Sequence, residues 1–410
     1  MSGVETESIT VTLLGLPPRS ELGEQWTQLE TQAEHSFFTS WSWIDCWLGS
    51  LEPPGRLHLL RATRAGHVVG LALWISRRGK SLRALPLRCL HLHATGDPKQ
   101  DEITIEHNGF LVHRNGGAQI EAAMYAHLLT RARHWDQLLL PGLTTSPSLN
   151  SLLPRNMVLR EQVHLSYAVD LREVRRRDGN YLGMLSSNSR QQVRRSMKAY
   201  EALGPMRLTE AKDLGTALNY LESLRLLHEK RWSGKGHVGA FANPSFAAFH
   251  LRLIGAAFPR GDIQLLRVQA GARDVGYLYN FVHRGRVLFY QSGFDYELLQ
   301  HNSRPGLVTH TLAVHHNAGL GNDIYDFLAG SARYKRSLAS TEGSMVWATV
   351  HRRTLAFRIE EVLRHAKRRW ESAIAARSSD AAAATVTQFN RPGDTPPIAI
   401  QQGTTGHHEH

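Results

Sequence analysis

Cysteine, long apolar runs and the common catalytic signatures are scarce or absent in this sequence. Only Cys46 and Cys89 occur among 410 residues, too few for a disulfide framework or a four-thiolate zinc site. We expect both to be small apolar packing residues. The 23 histidines include no His-Glu-x-x-His spacing, and neither "HLH" at His91–His93 nor the terminal "GHHEH" has the further ligands of a metal site. The sequence predicts no metal.

Other absences narrow the class of protein. No apolar run approaches the length needed to span a bilayer, and the opening "MSGVETESITVTLLGLPP" lacks the regions of a signal peptide. We therefore expect a cytoplasmic protein. There is no Walker loop, no Gly-x-Ser-x-Gly elbow and no cysteine in a recognisable catalytic context, which argues against ATP-dependent activation and against an enzyme nucleophile.

What is present is apolar content and positive charge. Hydrophobic residues make up 42% of the chain, enough for two ordinary domains or one elaborated domain. The formal net charge of +12 favours an anionic partner such as a phosphorylated cofactor, nucleic acid or an acidic membrane surface. The charge is concentrated at 172–198 and 351–370, and a solvated helix face is the simpler interpretation of the second run.

The two halves of the chain repeat one another. The stretch Arg56–Gly79 aligns with Asp262–Gly285 at one constant offset, and each copy alternates like two strands joined by a short turn that contains glycine. We predict two related domains, 1–165 and 166–352. A basic helix at 353–377 and a disordered tail at 378–410 follow, because the tail has too little apolar content to offset the entropy of ordering.

The second half is predicted to contain three helices, a hairpin, a strand, a helix that begins near Pro305, and a last polar strand. That strand opens "IYDFLAGSARYKRSLAS", Ile324–Ser340. Buried Asp or Lys is costly unless paired, so this polarity indicates either a solvated edge or a working cleft. By contrast, the tryptophans of "FFTSWSWIDCWLGSL" are predicted to form the buried face of a helix.

Several stretches together resemble one family. "LSSNSRQQVRRSMKAYEALG", "LLHEKRW" followed by "GHVGAF", "LFYQSGFDY", "SRPGLVTH" and above all "YDFLAGSARYKRSLA" resemble GNAT-superfamily acetyltransferases of the cellulose-biosynthesis CelD type. These in turn resemble FemAB peptidyltransferases, whose chains carry two GNAT-like domains. The resemblance implies an α/β (α+β) fold of tandem GNAT-like domains, each a mixed β-sheet flanked by helices, with an acyl donor bound between two splayed strands.

The resemblance also implies a chemistry. The acyl group passes directly from acetyl-CoA or another acyl-CoA to an amine or hydroxyl acceptor, which requires alignment, proton removal, oxyanion stabilisation and protonation of the leaving group. The sequence departs from ordinary GNAT enzymes at the phosphate-binding turn, where "LLQHNSRPGLVTH" contains Gly306 without a second glycine. FemAB-like relatives with the same departure use aminoacyl-tRNA. Nucleic acid is therefore a partner only if the donor is aminoacyl-tRNA.

The candidate site residues follow from the matching positions. Asp326 is a base or an orienting group, or else the cap of the following turn. Lys335 stabilises developing negative charge, or else lies on the surface. The other predicted residues are Tyr334 and Tyr290 for catalysis, Ser292, Ser303, Arg304 and Gly306 for the donor, and Arg190, Arg194 and Asp295 for the acceptor.

Three functions remain open from the sequence. The first is an acyl-CoA-dependent N- or O-acyltransferase, with an envelope or exopolysaccharide precursor as the acceptor that the family implies. The second is an aminoacyl-tRNA-dependent transferase. The third is a catalytically inactive binding module of a polysaccharide-synthesis assembly. The first domain has no counterpart of "DFLAGSARYK", so we expect it to shape the acceptor cleft without binding the donor.

Overall fold

The structure is a computed structural model of the whole chain. It describes residues 8–52, 55–80, 86–132, 135–144, 149, 151–234, 238–299, 303–355, 357–359, 361–363 and 370. The predicted basic helix at 353–377 lies only partly within these ranges. The predicted disordered tail at 378–410 lies outside them.

The described residues form one mixed sheet of thirteen strands. In chain order the strands are β1 (Thr10–Gly15), β2 (Arg56–Arg64), β3 (His67–Lys80), β4 (Pro86–Leu92), β5 (Leu111–Val112), β6 (Gln137–Leu143), β7 (Met157–Asp170), β8 (Met206–Glu210), β9 (Ile263–Ala270), β10 (Arg273–His283), β11 (Arg286–Phe294), β12 (Ile324–Ala329) and β13 (Thr341–Arg352).

Nine α-helices within the described ranges flank this sheet. They are α1 (Arg19–Glu30), α2 (Trp41–Leu48), α3 (Gly117–Thr130), α4 (Leu171–Arg176), α5 (Ser187–Glu201), α6 (Leu214–Ser233), α7 (Pro244–Ala257), α8 (Pro305–Gly319) and α9 (Arg333–Leu338). The starts of α5 and α6 are capped as the sequence suggests, because Ser186 and Asp213 accept hydrogen bonds from backbone amides of the first turn.

The two halves have the same strand order, read from opposite edges of the sheet. One edge gives β1-β2-β3-β4-β6-β13 and the other gives β8-β9-β10-β11-β12-β7. In each series the fourth and fifth strands are parallel and all other neighbours are antiparallel. The predicted fold class, a mixed sheet flanked by helices in tandem GNAT-like halves, is therefore confirmed.

The repeated hairpins occupy equivalent positions in this order. The copy at Arg56 forms β2 and β3, and the copy at Asp262 forms β9 and β10. The long antiparallel pair of β7 and β13 joins the halves along twelve residue pairs. The predicted boundary near residue 165 falls inside β7, so the division into two domains at this point stays a prediction.

The parallel pair in the second half separates after a short stretch. Strands β11 and β12 pair only from Arg286 to Leu288 and from Ile324 to Asp326. Beyond these residues β11 continues beside β10 alone, while β12 keeps a contact with β7 at Ala329. A gap therefore opens between two central strands, just before the N-terminus of α8.

The corresponding gap in the first half is filled by the protein's own chain. Strands β4 and β6 also pair over three residues only. The Asn108 side-chain amide then donates to Leu92 O at 3.3 Å and to Pro141 O at 2.9 Å, bridging the two strands. The segment Ile103–Gly109 thus places Asn108 at the position that corresponds to the gap in the second half; the expectation that this half binds no donor stays a prediction.

The hydrophobic core covers both faces of the sheet. On one face α1 and α2 of the first half and α6 and α7 of the second pack into one continuous cluster, where Trp43 and Trp47 are buried and Trp41 is half-buried. On the other face α3 covers the first half, and α4, α5, α8 and α9 cover the second. The gap between β11 and β12 connects these two faces.

Candidate active site

A cavity of about 750 Å³ lies where β11 and β12 separate. It is bounded by the end of β11, the N-termini of α5 and α8, and helix α9. The residues that line it are Ser186, Asn188, Ser189, Gln192, Ser292, Phe294, Tyr296, Ser303, Arg304, Pro305, Gly306, Leu307, Arg333, Tyr334, Arg336 and Ser337. All four predicted donor-binding residues and Tyr334 are therefore brought together.

The cavity is built for a ligand with negative charge. Arg304, Arg333 and Arg336 line it, and no acidic residue is among the described residues that do so. The first turn of α8 also faces it, and the leading amides of a helix have no intrahelical partner. Pro305 lies at the helix start, where a backbone N–H would have no intrahelical partner, so its missing N–H costs no hydrogen bond. Arg304 Nη1 donates a 2.6 Å hydrogen bond to Gln192 Oε1, which holds the guanidinium group in place.

Tyr334 forms part of the wall between the cavity and the core. Its ring stacks on His310, with the ring centres 5.6 Å apart. His310 is fully buried and its Nδ1 lies 3.0 Å from the Tyr325 hydroxyl. Burial and, secondarily, the charge of Lys335 lower the pKa of His310 to about 3, so the ring that supports Tyr334 is neutral. Burial raises the pKa of Tyr334 well above its ordinary value, and its hydroxyl stays protonated.

Lys335, the next residue of α9, leaves the cavity and points toward β12. Its Nζ donates to Ala329 O at 2.6 Å. Burial lowers the pKa of Lys335, while the negative charges of Glu106 and Asp326 oppose that shift. Consecutive residues of one short helix therefore present a hydroxyl to the cavity and an ammonium group to the carboxylates beyond the gap.

A bulge in β12 makes this arrangement possible. The register with β7 shifts between Asp326 and Ala329, and Leu328 has a φ of +62°, a conformation that is strained for a branched residue. The bulge turns both polar backbone groups of Ala329 toward side chains. The Ala329 amide donates to Glu106 Oε2 at 2.7 Å, and its carbonyl accepts from Lys335.

Asp326 is a fully engaged carboxylate beneath the gap, with 3% of its surface exposed. It accepts hydrogen bonds from His107 Nε2 at 3.0 Å, from Arg286 Nη1 at 2.7 Å and from the Leu328 amide at 2.8 Å. Burial acts to raise the pKa of Asp326. The hydrogen bond and charge of His107, followed by Arg286 and the amide, outweigh burial and hold this pKa below its usual range.

Replacing Asp326 by Asn is expected to destabilise the protein by about 1–3 kcal/mol near neutral pH, because charged donors lose a buried acceptor. A carboxylate with a depressed folded-state pKa stabilises above its unfolded pKa of about 3.9, and this contribution is lost as pH falls through the folded value. Urea unfolding of both proteins between pH 3 and 7 measures the difference. An equal stability of the two proteins at pH 7 would contradict this role for Asp326.

Glu106 of the first half is the second carboxylate at this position. It is half-buried and lies next to His107 in the segment that fills the first half's gap. Burial raises the pKa of Glu106, against the opposing effects of the Ala329 amide, Lys335 and His107. Glu106 and His107 thus bring two polar groups of the first half into contact with the strand that carries Asp326.

Two smaller cavities flank His107 and Arg286 at the junction of the halves. One, of about 440 Å³, also contacts His35, His283 and Arg284. The other, of about 410 Å³, contains Asp326 and extends along β7, with Arg172 and Glu342 in its walls. Both contain Thr144, so they adjoin on the side of the gap opposite the large cavity.

The remaining predicted residues do not line the large cavity. The Tyr290 ring packs among aromatic side chains of the core, 4.9 Å from His250; burial and, secondarily, the charge of Glu106 raise the pKa of its hydroxyl. Asp295 caps a turn by accepting from the Glu297 and Leu298 amides. Arg190 and Arg194 are on α5 but line none of the three cavities, since Ser189 and Gln192 face the large one.

Sequence reasoning missed Glu106, His107, Arg286, Arg333 and Arg336. The last two lie inside the quoted "SARYKRS" stretch, where a basic residue on each side of Tyr334 was a usable signal. The polar triplet "EHN" at residues 106–108 is the only trace of the first two. Nothing in its local pattern indicates that it reaches a strand more than two hundred residues away.

The described part of the chain contains neither a candidate metal site nor a helix suited to crossing a membrane. Among those residues no group of three or more His, Cys, Asp and Glu side chains is arranged to hold a metal ion. In the same part of the chain, no helix combines the length and the apolar character that crossing a membrane requires.

Comparison with protein families matches residues 187–336 to the model described as "Acetyltransferase (GNAT) domain". This segment is similar to GNAT-type acetyltransferase domains. It includes every site residue predicted from the sequence, whereas Glu106 and His107 lie outside it. No curated protein matches the chain.

Solved structures resemble the chain over most of its length at low sequence identity. FemX matches with a TM-score of 0.51 and 10% identity, over 86% of this chain and 99% of FemX. L-PGS from Bacillus licheniformis matches with a TM-score of 0.46 and 8% identity, over 86% of this chain and 97% of L-PGS. A tandem GNAT protein from the clavulanic acid biosynthesis pathway matches with a TM-score of 0.39 and 13% identity, over 83% of this chain and 98% of that protein. The likeness to FemX is one of fold.

Proposed function

We propose that the protein is an acyltransferase that moves an acetyl or other acyl group directly from acyl-CoA to an amine or hydroxyl. The observation that carries this proposal is the geometry of α9. Tyr334 faces a basic cavity of about 750 Å³, and Lys335, the next residue, lies beyond the gap beside Glu106 and Asp326. A thioester threaded through the gap meets a proton donor on one side and a cation on the other.

Each group then has a role that its position supports. Arg304, the first turn of α8 and the arginines of α9 hold the donor phosphates. Tyr334 protonates the leaving sulfur, because its hydroxyl stays protonated over the working pH range. Lys335 stabilises the oxyanion. Asp326 orients this side of the site, since its bonds to His107 and Arg286 are already made.

The acceptor enters from the junction of the two halves. The two cavities around His107 and Arg286 lie on the opposite side of the gap from the donor cavity. An acceptor that carries negative charge is favoured in the cavity of about 440 Å³, where Arg284 and Arg286 outnumber the one acidic residue among the described lining residues, Glu34. A precursor of envelope or exopolysaccharide is the acceptor that the resemblance to CelD-type proteins suggests.

Aminoacyl-tRNA is the second candidate donor. The observation in its favour is the turn before α8, which has one glycine where ordinary GNAT enzymes have more. We favour the thioester because the anion-binding groups converge on one cavity instead of forming a continuous basic track. A catalytically inactive binding module is the least supported alternative, because such a module has no need of a buried lysine beside two carboxylates.

Acetyl-CoA at about 100 times its dissociation constant is expected to stabilise the folded protein by roughly 2.7 kcal/mol. A thermal-shift panel of acetyl-CoA, longer acyl-CoA and free coenzyme A measures the rise in Tm. The Arg304→Ala variant should lose most of this rise, whereas Arg195→Ala, an exposed change on α5 outside the cavity, should keep it.

Charged tRNA provides the opposing arm of this experiment. Its binding would weaken steeply as salt rises, because neutralised phosphates release counterions. A flat response to every coenzyme A species together with salt-sensitive tRNA binding would replace the thioester donor by aminoacyl-tRNA. No response to either would leave the binding module as the better proposal.

A further inference from the structure

The first half of the chain supplies two side chains to the site through a segment that is anchored at His107 and Asn108. Asn108 bridges β4 and β6, and its Oδ1 lies 2.8 Å from His93 Nδ1. His107, one residue earlier, donates to Asp326. Glu106 is therefore placed by a fixed framework, although no local helix or strand contains it.

Transfer to an amine or hydroxyl needs a group that removes the acceptor's proton. Asp326 is poorly suited to this task, because three donors already occupy its two oxygens and favour the charged form. A proton acceptor must keep a lone pair open toward the substrate. The base is therefore to be sought among the other carboxylates near Lys335.

Glu106 meets this requirement. Its Oε2 accepts from the Ala329 amide, which fixes the carboxylate, and its Oε1 has no hydrogen-bond partner in the described part of the protein. Lys335 is bound to the carbonyl of the same Ala329. The open oxygen of Glu106 and the ammonium group of Lys335 thus flank one residue at the point where β11 and β12 separate.

We propose that Glu106, contributed by the first half of the chain, is the general base of the acyl transfer. This inference rests on the proposed acyltransferase function and adds to it the residue that activates the acceptor. The first half then acts in catalysis itself, although its own cleft is filled. A GNAT-type domain alone, at residues 187–336, lacks this base.

Glu106 Oε1 takes the proton from the acceptor N–H or O–H as the lone pair of that nitrogen or oxygen forms a bond to the carbonyl carbon. The carbonyl electron pair moves to the oxygen beside Lys335. When it returns, the carbon–sulfur bond breaks, and the sulfur takes a proton from Tyr334. The proton on Glu106 passes to solvent and Tyr334 is reprotonated from solvent, so the products are the acylated acceptor and free thiol.

Burial supports this role because it raises the pKa of Glu106. A base works best when its pKa lies near the working pH, and an ordinary glutamate, at about 4.3, is too weak. The sign of the pH effect follows. Activity should fall as pH decreases through the raised pKa of Glu106, and the fall should begin above the range of an ordinary glutamate.

The test is Glu106→Gln, in the full-length protein, with acetyl-CoA as donor. Glutamine can still accept from the Ala329 amide but cannot take a proton at neutral pH. We expect kcat to fall by about 10²–10⁴-fold, with donor KM changed by less than about threefold. The matched control is Glu121→Gln, a glutamate of α3 whose pKa burial also raises and which lies outside the site.

Free-thiol release with a panel of primary amines, sugar hydroxyls and water alone measures the rate. A hydroxyl acceptor has no ionisation near neutral pH, so the acidic limb of its pH profile belongs to the enzyme. That limb should vanish in Glu106→Gln and return in Glu106→Asp. If Glu106→Gln has the same rate as the wild type and keeps the acidic limb of the pH profile, this inference is overturned and the proposed function stands. No thiol release by the wild type with any acceptor overturns the proposed function and the inference with it.

Discussion

Replacing Lys335 by methionine is expected to lower kcat by about 10²–10³-fold, the range found when one oxyanion donor is removed. The reason is the position of Nζ, which is fixed on Ala329 O at the mouth of the gap and lies near two carboxylates. Methionine keeps the length and volume of the side chain but removes its charge. Donor KM should change little, because Lys335 does not line the donor cavity.

The measurement is steady-state thiol release with donor and acceptor varied separately. Lys212→Met, at an exposed side chain paired with Glu210 at 3.8 Å, is the matched control and should behave like the wild type. Loss of Lys335 also removes the ammonium group near Glu106, whereas Asp326 keeps its bond to Arg286, so Tm is recorded for each variant. An unchanged kcat in a folded Lys335→Met protein would return Lys335 to a structural role.

Replacing Tyr334 by phenylalanine is expected to lower kcat by about 10²–10⁴-fold, the range for loss of a general acid. The ring and its stack on His310 are retained, and only the hydroxyl that faces the cavity is removed. The pKa of Tyr334 lies above its ordinary value, so the hydroxyl is in its proton-donating form below pH 10. The defect should therefore be the same from pH 6 to 9.

A change of leaving group distinguishes a role of Tyr334 as proton donor from a role in packing alone. A donor whose thiol has a low pKa needs little protonation, so an aryl thioester should show a much smaller defect in Tyr334→Phe than acetyl-CoA does. Tyr220→Phe, on α6 and outside the three cavities, is the control. Equal defects with both donors would contradict the role of Tyr334 as proton donor.

The fold was predictable because its signals are local. Alternating apolar residues and glycine turns at Arg56–Gly79 and Asp262–Gly285 specify hairpins without knowledge of distant contacts. The internal repeat then implied two copies of one strand order, which the sheet shows. The point at which the copies join was less predictable, because β7 and β13 each pair with strands of both halves.

The residues of the large cavity were predictable in part for the same reason. Ser303, Arg304 and Gly306 directly precede or begin α8, so their proximity is local, whereas Tyr334 joins them through the packing of α9 against α8. Tyr290 differs because β11 has a bulge there: Gln291 pairs with Tyr279 and Phe289 with Asn280, which leaves Tyr290 as the extra residue. A bulge changes which face a side chain occupies, and the sequence does not reveal it.

The contact between His107 and Asp326 could not be predicted from the sequence. His107 and Asp326 are separated by 219 positions and meet only because the strand order of the complete sheet brings the halves together. Arg190 is a different case. Its charge suggested a ligand, and Ser189 and Gln192 of α5 line the large cavity while Arg190 does not, so its acceptor-binding role stays a prediction.

The most direct test of the central claim measures acyl transfer and donor binding in the same protein sample. Wild-type protein and the Lys335→Met variant are each mixed with acetyl-CoA and the acceptor panel, and acylated product is followed by mass spectrometry alongside the rise in Tm. We predict an equal Tm rise in both proteins and product from the wild type only. Product formed equally by both, or no Tm rise and no product from the wild type, would contradict acyl transfer across the gap between β11 and β12.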